Sequence, residues 1–328
     1  MKFARTLLVA VLAASVGATS AIGQPVSTEA TLLPPPLSGA DRESIAAIER
    51  AVSALEQRVL VADDANARWI AAQLARSDPP SAATQLKAAI EREPRNLLFL
   101  SSLAFACARP TLPILPECAA TDYVAQWSFR DEGNAVPALL LAERSRRRGD
   151  IPTMTAQLER AAGGPRYDDY WGRAVGAFAV GIGATAAIAD PALAAVTTLT
   201  LATANNNHGI IEFELVCASR SIASDVHKAA CARLSALMAQ RATSLIVRGV
   251  GARGEAAFAT SDAQRDAANT DRAAFARLEQ DCGSALKMQA LMASDAAARR
   301  VAVADFTRWL VPAVRDGEVA ACMSVRNG

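Results

Sequence analysis

The chain has 328 residues and a net charge of +1, from 34 basic and 33 acidic side chains, with two histidines and six cysteines. The near-zero balance and the scatter of arginines argue against a nucleic-acid or membrane-surface footprint, since such binders cluster their cations on one face. Only four basic residues are lysine (Lys2, Lys87, Lys228 and Lys287), and aromatics make up 5% of the chain.

Residues 1–23 read as a secretory signal peptide: a basic start at Lys2 and Arg5, an apolar run from Thr6 to Val16, then small residues up to Ala21 and Gly23. No cysteine stands at the cleavage site, so the expected product is not a lipoprotein but a soluble periplasmic or secreted chain of about 305 residues, enough for a substantial core. Residues 24–40, with Pro34-Pro35-Pro36, read as an extended linker.

From Asp41 onward the chain reads as all-α. Ile45, Ile48, Val52, Leu55 and Val59 recur at helical spacing, which predicts a first helix from about Arg42 to Ala62. Asn66 to Ser77 is the next predicted helix. Pro79-Pro80 opens another, because proline fits a first helical turn, and Glu93-Pro94 closes it. A helix from Asn96 runs into a proline-rich loop, Pro110 to Pro116, flanked by Cys107 and Cys118. A helix with Tyr123 and Trp127 follows. The segments 134–148 and 152–162 form a predicted hairpin around Gly149-Asp150, where glycine suits a left-handed helix end.

The stretch from Asn66 to Arg166 resembles a tetratricopeptide-repeat array. The resemblance rests on Ala82, Leu86, Ala89 and Pro94, on Leu100, Leu103 and Ala104, and on Leu141, Ala142, Gly149, Asp150, Leu158 and Ala161. Equivalent positions step from Pro94 to Glu132 to Arg166, that is by 38 and 34 residues, against the family's 34. The family's two aromatic positions hold Ala138 and Ser145. The resemblance implies an antiparallel helix-hairpin array, or α-solenoid, over residues 41–166, with a protein or peptide partner held in a groove. That groove would be lined by Trp69, Gln73, Arg76, Ser102, Phe105, Glu143 and Arg146.

Residues 167–328 read as a further helical region, continuous with the repeats or capping them. Ala174 to Ala189 carries no charge until Asp190 and holds Gly176, Gly181 and Gly183. At 16 residues it is short for a membrane span of about 20, and it reads as a core helix whose glycines admit a close neighbour. Long helices are expected over 225–249, 257–293 and 295–314.

Six cysteines behind a signal peptide predict disulfides. The expected pairs are the local ones, Cys107–Cys118, Cys217–Cys231 and Cys282–Cys322. No spacing calls for a metal or a cofactor. His208 with Glu212 and Glu214 is the nearest approach to a ligand cluster; Asp225 reads as a helix cap beside His227. Asp168-Asp169-Tyr170-Trp171 reads as a carbohydrate platform or as a helix start with packed aromatics. Arg144, Arg146, Arg147 and Arg148 could grip an anionic partner. No catalytic motif stands out, so a non-enzymatic scaffold or adaptor is the leading expectation. The alternative is a peptidoglycan-processing enzyme: Lys287-Met288-Gln289 is similar to part of the Gly-Leu-Met-Gln motif of lytic transglycosylases. The catalytic Glu-Ser that should precede it is found only far upstream, as Glu43-Ser44.

Overall fold

The computed structural model describes residues 39–108, 115–205, 209–218, 224–286 and 288–327. The predicted leader, most of the proline-rich linker, the centre of the Pro110–Pro116 loop, His208 and Lys287 lie outside the described residues. Within them the chain is all-helical, with two isolated β-bridges and no strand.

The first helices begin and end where local chemistry places them. Helix α1 covers Gly39–Val61 and buries Ile48, Leu55 and Val59. Asp64 caps α2 (Ala65–Leu74) by accepting from the Ala67 amide at 2.7 Å. Asp78 caps α3 (Pro79–Arg92), whose prolines occupy the first turn, where no amide donor is required. Helices α4 (Leu97–Ala108) and α6 (Tyr123–Arg130) pack together with the single turn α5 (Pro116–Ala119) between them. Asn134 caps α7 (Ala135–Arg147) and Asp150 caps α8 (Ile151–Ala162). Gly149 between them has φ +71, as a left-handed helix end requires. The pairs α2/α3, α4/α6 and α7/α8 thus follow one another, and each packs on the next.

The chain then folds back. Helix α9 (Trp171–Gly183) packs against α1 and α2 at the start of the chain. Helix α10 (Pro191–Asn205) is buried continuously from Ala195 to Ala202 and lies among α1, α9, α15 (Met288–Leu291) and α16 (Ala296–Asp316). The short helix α11 (Ile210–Cys217) packs on α7, while α12 (Asp225–Arg241) and α13 (Leu245–Phe258) form a hairpin resting on α8. The long helix α14 (Asp262–Leu286) lies along α13, and α17 (Glu318–Asn327) packs on α14 and α16.

The apolar segment around Ala174 is the expected core helix: no helix among the described residues is long and apolar enough to cross a membrane. Its small residues set the spacing. A methyl group on Gly172 would collide with the Ala313 carbonyl of α16, so α9 and α16 touch backbone to backbone. Beside this crossing Phe306 stacks on Trp309 with ring centroids 5.9 Å apart, and Trp171 meets Trp309 edge-on at 5.8 Å.

Two predicted helices are divided and a third runs past its expected end. The 225–249 helix ends at Arg241, because Ala242 turns extended and bridges to Tyr167. The 257–293 helix starts only at Asp262, where Ser261 and Gln264 form a capping box: each side chain accepts from the other's amide at 3.2 Å. The last helix continues past Val314 to Asp316, turns at Gly317 with φ +93, and restarts as α17. The cap of α12 is Ser224 and not Asp225; its hydroxyl accepts from the His227 amide at 3.1 Å.

The three cysteine pairs are as expected: Cys107–Cys118, Cys217–Cys231 and Cys282–Cys322, with Cα separations of 5.4, 5.7 and 5.1 Å. No cysteine is free. Peptide mapping without reductant should recover these three cross-links and no free thiol; two or more free thiols would contradict the pairing. Gly172→Ala should lower stability in urea unfolding by about 2 kcal/mol, because the new methyl overpacks a backbone contact. Gly183→Ala, where nothing lies within 4 Å of the new methyl, is the control and should be neutral or stabilising.

Candidate functional site

The residues expected to line a groove occupy one side of α2, α4 and α7, and the chain itself covers most of them. Trp69 is 2% exposed. Its indole N–H donates to the Ser102 hydroxyl at 2.9 Å, and its ring packs on Phe99 and, at 5.0 Å, on Phe178 of α9. Asn66 ties the same helices by donating to the Ala177 carbonyl at 2.9 Å. Gln73 is buried and accepts from Arg76 at 2.9 Å, and Arg76 in turn donates to the carbonyl of Asn205 at the end of α10. Phe105 is buried against Trp127, with centroids 5.6 Å apart. Glu143 is buried and receives Arg146 at 2.9 Å, with Arg147 at 3.6 Å. An open lining is therefore not what these side chains form. Trp69, Gln73, Phe105 and Glu143 are buried, and Ser102, Arg76 and Arg146 are half-buried beside them.

The arginine run at the end of α7 is largely occupied as well. Arg144 binds Asp122 at 2.8 Å and holds that carboxyl below its ordinary range through the hydrogen bond. Arg147 donates to the Ala108 carbonyl. Arg148 is exposed in the ordinary hairpin turn with Gly149 and Asp150.

The densest polar cluster lies where residues 131–134, 165–170, 242–244 and 317–319 meet. Backbone bonds line these segments up: Ala135 to Arg166 at 3.0 Å, Thr243 to Tyr167 at 3.1 Å, and Val319 to Thr243 at 3.2 Å. Asp131, 3% exposed, stands at the centre. It receives the Tyr170 hydroxyl and the Arg166 guanidinium, the Asn134 amide at 2.7 Å and the Trp127 indole at 3.2 Å. Asn134 also donates to the Asp168 carbonyl and accepts from the Asp168 amide.

Asp168 and Asp169 each cap the turn into α9, accepting from the amides of Tyr170 and Trp171. Thr243 donates to both carboxylates, and Ser244 donates to Asp169 at 2.7 Å. Burial, with the neighbouring Asp169 charge adding to it, pushes the Asp168 carboxyl above its ordinary range, while the Tyr170 amide and the nearby Arg173 and Arg166 partly offset this. Burial and the nearby Asp131 hold the Tyr170 phenol well above its usual range. Tyr170 has φ +58, the only positive φ outside glycine among the described residues, and Arg173 covers its ring at 4.9 Å.

Chemically this arrangement is a set of matched donors and acceptors closing a chain crossing. Its acids hold backbone amides, hydroxyls and a guanidinium; the two rings next to them, Tyr170 and Trp171, are buried and not displayed as a carbohydrate platform. Nothing in the pattern of 131–134 or 242–244 marked them as partners of the Asp168-Asp169 turn. The only local signals were the aspartate pair itself and Asn134 at a helix start.

Of the remaining candidates, Glu212 is buried and Glu214 is exposed on opposite sides of α11. His227 is fully buried with Nε2 3.0 Å from the Val216 carbonyl, and burial lowers its pKa. Among the described residues no group of three or more histidine, cysteine or acidic side chains is placed to hold a metal ion. Glu43 is exposed on α1. Comparison with protein-family models, with characterised proteins and with solved structures finds no match to this chain.

Asp131→Ala should lower stability by about 3 kcal/mol, because it strands a buried hydroxyl and amide and frees the Arg166 charge. Tyr170→Phe should cost less, about 1.5 kcal/mol for one hydrogen bond to a charged acceptor. Urea unfolding measures both, and equal stabilities for wild type and Asp131→Ala would show that the cluster does not hold the crossing.

Proposed function

We propose that this protein is a periplasmic or secreted, disulfide-stapled α-helical scaffold or adaptor that binds a protein or peptide partner, and that its hairpins are degenerate repeats of the tetratricopeptide type. The observation that carries the reading is the succession α2/α3, α4/α6 and α7/α8, cross-linked at Cys107–Cys118 and backed by a second disulfide-linked helical half. Paired cysteines fit an oxidising compartment. The acids, tyrosine and histidine best suited to chemistry are engaged in internal bonds that a structural role explains.

Because α9 occupies the inner side of α2, partner contact falls to outward-facing positions such as Lys87 on α3, Phe129 on α6 and Arg160 on α8, all exposed. Photo-cross-linking residues placed singly at these three positions in the native host should capture one dominant protein at a subset of them. Charge reversal next to the reactive position should abolish capture with the melting temperature unchanged. No protein adduct at any position, together with release of soluble fragments from purified peptidoglycan, would reject the scaffold and favour a cell-wall enzyme.

A further inference from the structure

The three disulfides lie at different depths. Cys217, Cys231, Cys282 and Cys322 are 5%, 0%, 0% and 2% exposed, so two of the bonds are sealed in the core. Cys107 and Cys118 are both half-buried, and theirs is the one bond that borders solvent. Cys118 has the more open surroundings of the two. It sits on the single turn α5, where Pro116 and Ala119 are exposed and no residue is buried. Cys107 lies on α4 between half-buried Ala106 and buried Ala108.

The bond is also what ties α5 to α4. Among the described residues α5 packs chiefly on α3. There the Thr84 hydroxyl donates to Glu117 Oε1 at 2.9 Å. The other Glu117 oxygen is buried and has no hydrogen-bond partner among the described residues, which offsets part of that gain. Leu115, just ahead of the turn, is 4% exposed and anchors in the core. A single turn does not sustain itself, because nucleating a helix fixes several residues for one hydrogen bond. Here that bond runs from the Cys118 amide to the Leu115 carbonyl at 2.9 Å.

We propose that Cys107–Cys118 is a thiol–disulfide exchange site, at which a dithiol partner of the oxidoreductase type reduces the folded protein, and that its cleavage frees α5 from α4. A thiolate of the dithiol attacks the Cys118 sulfur. A mixed disulfide forms as the Cys107–Cys118 bond breaks, and Cys107 leaves as a thiolate and takes up a proton. The second thiol of the dithiol loses its proton and attacks its own partner's sulfur in the mixed disulfide. Cys118 is expelled and protonated in turn. Two electrons and two protons have then passed to the protein, which holds two thiols, and the dithiol has become a disulfide. The buried pairs give an incoming thiolate no such access. They continue to tie α11 to α12 and α14 to α17, so the change stays local.

Dithiothreitol added in increasing amounts to the folded protein, followed by alkylation with N-ethylmaleimide and peptide mapping, tests the site. Cys107 and Cys118 should be labelled together, at least about tenfold faster than the other four cysteines. A short pulse of glutathione should leave its mixed disulfide on Cys118. Reduction at this level should speed hydrogen exchange of the Cys118 amide by on the order of tenfold and leave the α7/α8 hairpin unchanged. The double variant Cys107→Ser/Cys118→Ser should fold and show the same fast exchange around position 118. Labelling of all six cysteines at one rate, or of a buried pair first, would overturn the proposal. So would a glutathione adduct confined to Cys107, or an exchange rate at Cys118 that ignores reduction. A double variant unable to fold would overturn it as well, since an exchange site must leave the rest of the fold standing.

Discussion

Asp131 is the constraint on which the rest depends. A single buried carboxylate collects a guanidinium, a phenol, an amide and an indole from residues 166, 170, 134 and 127. Burying such a charge is costly unless every lone pair is used. The four donors meet that condition, and in doing so they fix segment 165–170. That segment is where the hairpin array stops and the chain turns back. Asp168 and Asp169 continue the pattern by capping the turn into α9 and accepting from Thr243 and Ser244. The left-handed Tyr170 is the local strain this network sustains.

The direction of α9 follows from that turn. It returns along α2 and places Phe178 on Trp69, so the side of α2 that carries Trp69 is filled by the protein's own helix. Small residues make the approach possible, and Gly172 lets α16 reach the same helix backbone to backbone. The two halves thus share one hydrophobic core, which runs from Ile48 through Trp127 and Phe178 to Trp309. On the proposed scaffold reading, a partner would meet the outer surfaces of the hairpins.

Much of the fold was legible because its signals are local. The Pro79-Pro80 pair and the Gly149-Asp150 turn mark helix boundaries through chemistry within one turn, and the structure places helix ends there. Two of the cysteine pairs were legible because each closes a short loop between neighbouring helices; the third, Cys282–Cys322, ties the C-terminal segment back to an earlier helix. The breaks at Ala242 and Gly317 were not, because they serve distant partners: Ala242 turns extended to meet Tyr167, and Thr243 bonds Val319. The candidate groove was misjudged for the same reason. The tetratricopeptide resemblance implies ligand contacts at Trp69 and Phe105, and no feature near residue 69 announces that Phe178, more than a hundred positions later, will cover it. Helical period reports that a face is apolar, not which helix buries it.

The filled inner surface is the claim most open to direct measurement. Hydrogen exchange of the Trp69 indole N–H, followed by NMR and assigned with a Trp69→Phe variant, reads it at one atom. Buried beneath α9 and bonded to the Ser102 hydroxyl, that proton should exchange at least about a hundredfold more slowly than a free indole. Exchange at the rate of an exposed indole would mean that α9 does not rest on α2, and that the array is open to a ligand after all.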